Sequence, residues 1–515
     1  MKKLLFSLLV SLLMLGLIVI APHIPPQSGV RPVALASDEK IPIYLPAPAD
    51  IRDGTLDQGF GKGGRVITSF RLQSPNSHTT LGTAVVVQQD GKIVEAGYTS
   101  TGYSPRRRRA TFTLARYLPT GALDRTFGPD HTGKIMTFFP DIDSGLVQAN
   151  ALALQPDGKL VAAGYVHPFR PDGRVTHPRF ALVRYNPDGS LDQSFGKEGF
   201  VVTDFDEFSL GSGTTRAEAN ALVVEPDGHL VAAGFVHWNS ATTNAQHSFV
   251  LVRYKPNGGI SRVFGLTRVP GQNSYVIEGR KGRATSLVRQ SDGKLVAAGY
   301  DGIPEAIYDT QFALARYNHD GTLDRSFGQN GSVLARFDHP LGGIKAEVRS
   351  LILQPDGKLV AAGRNEFRDG FTTFLMVGLM RLNPDGSLDQ NFGSGGKVET
   401  NFWNRRGTAN ALIFVRDGRR SKLVVAGSET LGSGPRRIAL ARYHLDGSLD
   451  QSFGRGGIVI TGFPPDPVEA VALAHYRHRG VNQLVAAGHV LGRYTQGFAL
   501  TRYNNAATRE ELLVP

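Results

Sequence analysis

The chain has no cysteine and, among 515 residues, only two tryptophans and five methionines. The missing cysteine excludes a disulfide scaffold, a thiolate metal site, a cysteine nucleophile and a lipid-modified N-terminal cysteine. Catalytic signatures are missing too. There is no Gly-x-Ser-x-Gly elbow, no His-Glu-x-x-His pair and no phosphate-binding glycine loop. The 14 histidines are scattered, with His167, His177, His237 and His247 in loops and none at zinc spacing. Beyond the N-terminus, no segment is long and apolar enough to cross a bilayer. What is abundant is glycine, 61 residues against the usual share of about 7%. Charged residues make up 20% and hydrophobic ones 41%, so the chain can bury a large core. The formal net charge of +12 invites a polyanionic partner.

Lys2 and Lys3 precede an apolar run from Leu4 to Ala21, and Ala34-Leu35-Ala36 follows later. This pattern predicts a secretory signal over residues 1–36, cleaved before Ser37. The alternative is an uncleaved anchor, with a proline-rich linker over 37–50 as its tether. Either arrangement places the body of the protein outside the cytoplasmic membrane, secreted or held at the cell surface.

The body repeats one unit seven times. Gln155-Pro-Asp-Gly-Lys-Leu-Val-Ala-Ala-Gly164 recurs as Gln354 to Gly363, with near copies ending at Gly97, Gly234 and Gly299 and degenerate ones at Gly427 and Gly488. Phe180-Ala-Leu-Val-Arg-Tyr185 recurs at Phe112, Phe249, Phe312, Leu375, Ile438 and Phe498. A Phe-Gly pair closes each unit at Phe60, Phe127, Phe195, Phe264, Phe327, Phe392 and Phe453, spaced 61 to 69 residues apart. Each unit reads as four short apolar strands separated by Asp-Gly turns. Four-stranded units that hide both faces against neighbours predict a single all-β, seven-bladed propeller of antiparallel blades over residues 51–505, with a tail over 506–515. Ala151 to Gln155 and its equivalents would be the innermost strands. The glycine excess is read as turn positions with positive φ.

The chain enters with the strand Arg65 to Phe70, a fourth strand, and leaves with Phe498 to Tyr503, a third. The N-terminal strand should therefore pair with the C-terminal blade and close the ring. These motifs resemble the delta-60 repeats of bacterial, mostly exported proteins. The resemblance covers about residues 51 to 505 and implies a β-propeller; it carries no activity with it.

The Pro-Asp-Gly turns would gather on one face of the ring and the variable connections on the other. Those connections include Thr99 to Thr111, Tyr165 to Arg179, Phe235 to Ser248, Tyr300 to Gln311, Asp206 to Glu218 and Asp338 to Ala346. Variable loops on a rigid scaffold are where binding sits. The repeated Arg116, Arg184, Arg253, Arg316, Arg381, Arg442 and Arg502 should lie between blades and pair with Asp57, Asp124, Asp192, Asp324, Asp389 and Asp450. One copy breaks the pattern, with Ser261 in place of the aspartate. Asn186-Pro-Asp-Gly-Ser-Leu-Asp192 superficially suggests a calcium loop, but its glycine falls at the fourth position and a turn is the better reading. No metal or cofactor is expected.

Basic clusters mark the candidate binding residues. They are Arg106, Arg107, Arg108 and Arg109; Arg280, Lys281 and Arg283; Arg405 and Arg406; and Arg436 and Arg437. Nucleic acid is disfavoured, because no aromatic stacking array accompanies them. The weak catalytic candidates are Glu218, Glu347 and Glu469, near the starts of the innermost strands. Asn150, Asn220 and Asn410 share one repeat position there and read as turn caps. The expectation is a monomeric, non-enzymatic binding or scaffold module whose variable-loop face meets an anionic extracellular glycan or a surface protein. The alternative is an extracytoplasmic hydrolase or lyase acting on a carbohydrate or lactone at the channel mouth. An enzyme should bring the three glutamates to one substrate atom, whereas a binding module should pair them with arginine.

Overall fold

The structure is a computed structural model. It describes residues 53–70, 78–101, 109–140, 144–168, 177–205, 216–238, 246–268, 275–277, 281–302, 310–337, 343–369, 372–402, 406–416, 421–430, 434–478, 481–492 and 496–505. The predicted signal, linker and tail lie outside them.

Seven four-stranded antiparallel sheets form the blades of a propeller. Blade 2 shows the plan, with strands Ser144–Leu154, Leu160–Pro168, Arg179–Tyr185 and Phe200–Thr203 in that spatial order. Blades 1 and 3 to 6 span 78–137, 216–263, 283–335, 343–400 and 406–461. A short hairpin, Leu266–Arg268 with Tyr275–Ile277, is inserted between blades 3 and 4. Blade 7 combines Val468–His478, Val481–Leu491 and Gln496–Asn504 with Arg65–Thr68 from the other end of the chain. That closing strand pairs Arg65 with Thr501 and Thr68 with Phe498. The ring is thereby closed by hydrogen bonds between the two ends of the propeller, and the exposed edges of an open ring are avoided.

The apolar core is distributed between blades. The cluster containing Val161, Phe180, Phe205, Val236 and Tyr254 joins blades 2 and 3, and the others likewise join neighbouring sheets. Near-continuous apolar strands are what a sheet buried on both faces requires.

Polar links add direction to this packing. Arg184 Nε lies 2.7 Å from Asp192 Oδ2, its guanidinium stacks 4.4 Å from the centre of the Phe195 ring, and Nη1 donates to the Pro256 carbonyl of blade 3 at 2.5 Å. The same aspartate accepts from Lys159 of the Pro-Asp-Gly-Lys turn at 2.9 Å. Burial alone would raise the Asp192 pKa, but donors from Ser194, Lys159 and Arg184 outweigh it and hold the carboxyl well below the ordinary carboxylate range. Arg116–Asp124, Arg316–Asp324, Arg381–Asp389, Arg442–Asp450 and Arg502–Asp57 repeat the pair. The Phe-Gly motif supplies a second link. Its glycine amide donates to the turn of the next blade at all seven junctions, as Gly128 does to Asp188 at 2.8 Å and Gly196 to Asn257 at 2.7 Å.

Blade 3 solves the missing aspartate differently. Arg253 Nε bonds Glu225 Oε2 at 2.5 Å and Nη2 bonds Asp227 at 2.9 Å. Glu225 stands where four other blades have Gln88, Gln155, Gln290 and Gln354. One substitution thus supplies the carboxylate that Ser261 cannot. The reach to the next blade passes to Arg262, whose Nη1 bonds the Asp320 carbonyl.

A third device joins the outer strand of one blade to the third strand of the next. Tyr117–Thr68, Tyr185–Thr137, Tyr254–Thr203, Tyr443–Thr400 and Tyr503–Thr461 are buried hydroxyl pairs at 2.8 Å. Leu382 has no hydroxyl, and the position facing it is Ala335 instead of threonine; both sit in one apolar cluster. A buried polar partner was removed from both sides together, which avoids an orphaned group.

Candidate functional site

The innermost strand of every blade carries a β-bulge. The pairing register shifts at Gly82/Ala84, Ala149/Ala151, Ala219/Ala221, Ala284/Ser286, Val348/Ser350, Ala409/Ala411 and Ala470/Ala472. A bulge inserts one unpaired residue and re-aims its side chain. The inserted residues are Thr83, Asn150, Asn220, Thr285, Arg349, Asn410 and Val471, and all seven line one cavity of about 440 Å³ in the channel.

The bulge also explains the glycine that ends each Ala-Ala-Gly run. A Cβ on Gly164 would lie 1.9 Å from the Gln148 carbonyl, and on Gly363 1.8 Å from that of Glu347. Gly97, Gly234, Gly299, Gly427 and Gly488 would each meet a carbonyl of the neighbouring strand at 1.9 Å. These seven are demanded by close backbone approach, so the glycine excess is only partly turn chemistry. Turn glycines make up much of the rest, such as Gly189 with φ of 90°.

Asn150, Asn220 and Asn410 are not turn caps. They sit inside strands longer than their apolar cores suggest, and each clamps two blades. Asn150 Nδ2 donates to the Ala219 carbonyl at 2.8 Å, Asn220 Nδ2 to that of Ala284 at 2.9 Å and Asn410 Nδ2 to that of Ala470 at 2.8 Å. Thr83 and Thr285 make the equivalent bond to Ala149 and Val348, both at 2.7 Å. Val471 has no donor, and His489 Nδ1 approaches the Gly82 carbonyl at 3.2 Å. Burial pushes the His489 pKa down. Five of seven bulge side chains are therefore committed to holding the ring.

Two residues upstream of each bulge, toward the variable-loop face, lies a second ring. It includes Gln148, Glu218, Arg283, Glu347 and Glu469, paired across the sheet with Tyr165, Phe235, Tyr300, Arg364 and His489. Glu347 and Glu469 line the same cavity. Each of the three glutamates is met by arginine. Arg216 Nη2 lies 3.1 Å from Glu218 Oε1, Arg349 and Arg364 lie 2.9 and 3.4 Å from the two oxygens of Glu347, and Arg436 pairs with Glu469. Glu469 also accepts from Asn410 at 2.9 Å. Guanidinium and amide donors thus engage all three carboxylates within the protein.

The mouth is aromatic on one side. Tyr165 and Tyr300 are half-buried, and Tyr165 Oη donates to Gln148 Oε1 at 3.0 Å. Burial first, and the nearby Glu218 carboxylate second, raise the Tyr165 phenol above its ordinary value. Neither tyrosine is a candidate base at neutral pH. His167, edge-on to Tyr165, is pushed down to about 4 by burial and by Arg216 and His177, so it is neutral.

The basic-cluster residues that the structure describes are held in different ways. Arg106, Arg107, Arg108, Arg280 and Arg405 lie outside the described residues. Arg109 begins the third strand of blade 1, and Lys281 is exposed beside Ser248. Arg406 donates to the Thr373 carbonyl at 3.1 Å, and Arg437 pairs with the fully buried Glu429. Among the described cluster residues, Arg436 and Arg437 are thus engaged by glutamates and Arg406 by a backbone carbonyl. The Asp188 of the calcium-like loop accepts from the Ser190 amide at 2.9 Å and hydroxyl at 2.7 Å, the geometry of a turn. Among the described residues, no three His, Asp or Glu converge on a metal position.

Five stretches, residues 88–127, 155–195, 290–327, 354–392 and 421–453, match a family described as a β-propeller domain of unknown function, DUF5122. They place the chain among β-propeller repeat proteins. No curated protein matches it. Among solved structures it is similar to the polysaccharide lyase Uly1, with 13% identity over 88% of this chain and 97% of that one, at a TM-score of 0.42. It is also similar to an α-L-arabinanase of Penicillium chrysogenum complexed with arabinobiose, with 12% identity over 68% and 92% of the two chains and a TM-score of 0.37. An endo-arabinase from Bacteroides thetaiotaomicron follows at 12% identity, 70% and 93% coverage and a TM-score of 0.30. At these identities and TM-scores the likeness carries no argument about this chain.

Proposed function

We propose that this β-propeller repeat protein, of the delta-60 type, is an exported, non-enzymatic binding module that works as a monomer. Its variable-loop face presents a polar channel mouth to an anionic extracellular polymer. Export rests on the N-terminal basic and apolar segments. The observation that carries the binding reading is the engagement of Glu218, Glu347 and Glu469 by Arg216, Arg349, Arg364 and Arg436. These pairs leave the mouth rich in hydrogen-bonding groups, with each of the three glutamates engaged by arginine.

A hydrolase or lyase is the second reading, and it is favoured by one fact: Glu347 and Glu469 face the same cavity. The test is a panel of anionic and neutral glycans, scored for both binding and cleavage at low and high salt. Salt-sensitive binding of anionic members without new chain ends is expected. Cleavage that Glu347→Gln or Glu469→Gln abolishes would replace the binding module with an enzyme. Absence of any binding would remove the polymer as a partner.

A further inference from the structure

We infer that Arg283 is the anchor of the channel mouth and receives a single carboxylate or sulfate group of the bound ligand. The inference deepens the binding function proposed above and rests on it.

The second ring alternates charge in an uneven way. Glu218 is satisfied by Arg216, and Glu347 by Arg349 and Arg364, while Arg283 lies between those two blades with no carboxylate partner among the described residues. Its guanidinium carbon sits 3.9 Å from the centre of the Phe235 ring, and Phe235 is fully buried. Stacking of this kind holds the guanidinium plane rigid while leaving its N–H edge open. Its Nε is shielded from solvent and has no hydrogen-bond partner, so a ligand in the cavity would meet the guanidinium through its terminal nitrogens.

The surroundings fit an anion carried on a polar ring. Arg283 lines the cavity with Tyr300, Asn220 and Gln148, and the lining as a whole holds three arginines against two glutamates. Both glutamates already have arginine partners, so the uncompensated charge is that of Arg283. A planar fork matches two oxygens of a carboxylate or sulfate, and Tyr300 beside it offers a half-exposed aromatic surface. The cavity volume of about 440 Å³ suits one or two such rings.

The test uses calorimetry on the whole exported chain with three probes: glucuronate, glucose and sodium sulfate. An anionic polysaccharide serves as a fourth. The charged probes should bind and glucose should bind far more weakly, with affinity falling as salt rises. Arg283→Gln should weaken glucuronate or sulfate at least 10-fold while leaving glucose unchanged. Arg283→Lys keeps the charge but loses the fork, and should weaken them about 3- to 10-fold. If Arg283→Gln does not fold, the Lys variant carries the test, and wild-type affinity in it would overturn the anchor. Glucuronate binding without sulfate binding assigns the site to carboxylates, and the reverse assigns it to sulfates. Undiminished polymer and glucuronate binding by Arg283→Gln would refute the anchor and leave the binding function standing. No binding of any probe or polymer by the wild-type chain would overturn both.

Discussion

Replacing Glu225 by glutamine tests the logic of the ring most directly, because it writes the ordinary residue of four other blades into the one blade that cannot use it. Glu225 is buried, bonds Arg253 at 2.5 Å and faces Arg289 of the next blade at 3.5 Å. Removing one member of a buried ion pair costs roughly 3–5 kcal/mol, because the other charge is stranded. Arg253 is 13% exposed in its side chain and keeps Asp227 at 2.9 Å, so the stranding is incomplete. We expect about 2–3 kcal/mol of lost stability. The counterpart is Ser261→Asp, which restores the aspartate found eight residues after the arginine in five other blades, as in Arg184 and Asp192. In the double variant, stability should return to within about 1 kcal/mol of wild type. Urea unfolding followed by far-ultraviolet circular dichroism measures both. A wild-type midpoint for Glu225→Gln would refute the claim that Arg253 depends on this carboxylate. A double variant no better than the single one would refute the equivalence of the two arrangements.

Two further perturbations reach other parts of the ring. Gly234→Ala would drive a Cβ to 1.9 Å from the Glu218 carbonyl, so the blade 3 bulge must move, at a cost of about 3 kcal/mol or more. An unchanged melting temperature would show that the bulge moves freely. Glu95 replaces the alanine of the repeat and is wholly buried where blades 7 and 1 meet, in the space left by Gly82. Burial raises its pKa well above the usual carboxylate value, and the Gly488 backbone opposes this only in part. The folded state therefore holds the proton more tightly than the unfolded one. The associated stability is complete below pH about 4 and is lost as pH rises toward the folded pKa. Glu95→Gln should remove that loss, so the variant gains on wild type as pH increases; a stability difference independent of pH would contradict it.

The repeat made much of this molecule readable in advance. Three strings that each occur seven times required seven copies of one four-stranded unit. The arginine of the third strand and the aspartate before Phe-Gly were readable as partners, since a lone charge between blades is untenable. Two compensations are equally present in the letters: Glu225 occurs in the copy that has Ser261, and Ala335 faces the copy that has Leu382. Aligning the copies column by column finds both. The bulge was not readable. Asn150 looks like a strand-start residue because the apolar pattern begins at Ala151, and nothing in the local pattern marks an inserted residue. Its only trace was the glycine ending Val-Ala-Ala-Gly, which has no turn to serve.

The sequence by itself determined the blade count, the antiparallel plan, the closure by two chain ends and the arginine–aspartate links. These follow from periodicity and from the requirement that buried charge be paired, both of which act at short range along the chain. Only the tertiary structure decided which residues share the channel. The rings at the bulge and two positions before it draw one residue from each blade, about sixty residues apart, and no linear pattern ranks them. Three glutamates that looked equally free proved to be occupied, and Arg283, one cation among 57 lysines and arginines, proved to be the one in the mouth without a carboxylate partner among the described residues. Charge content is a property of composition; whether a given charge is available depends on what the fold sets beside it.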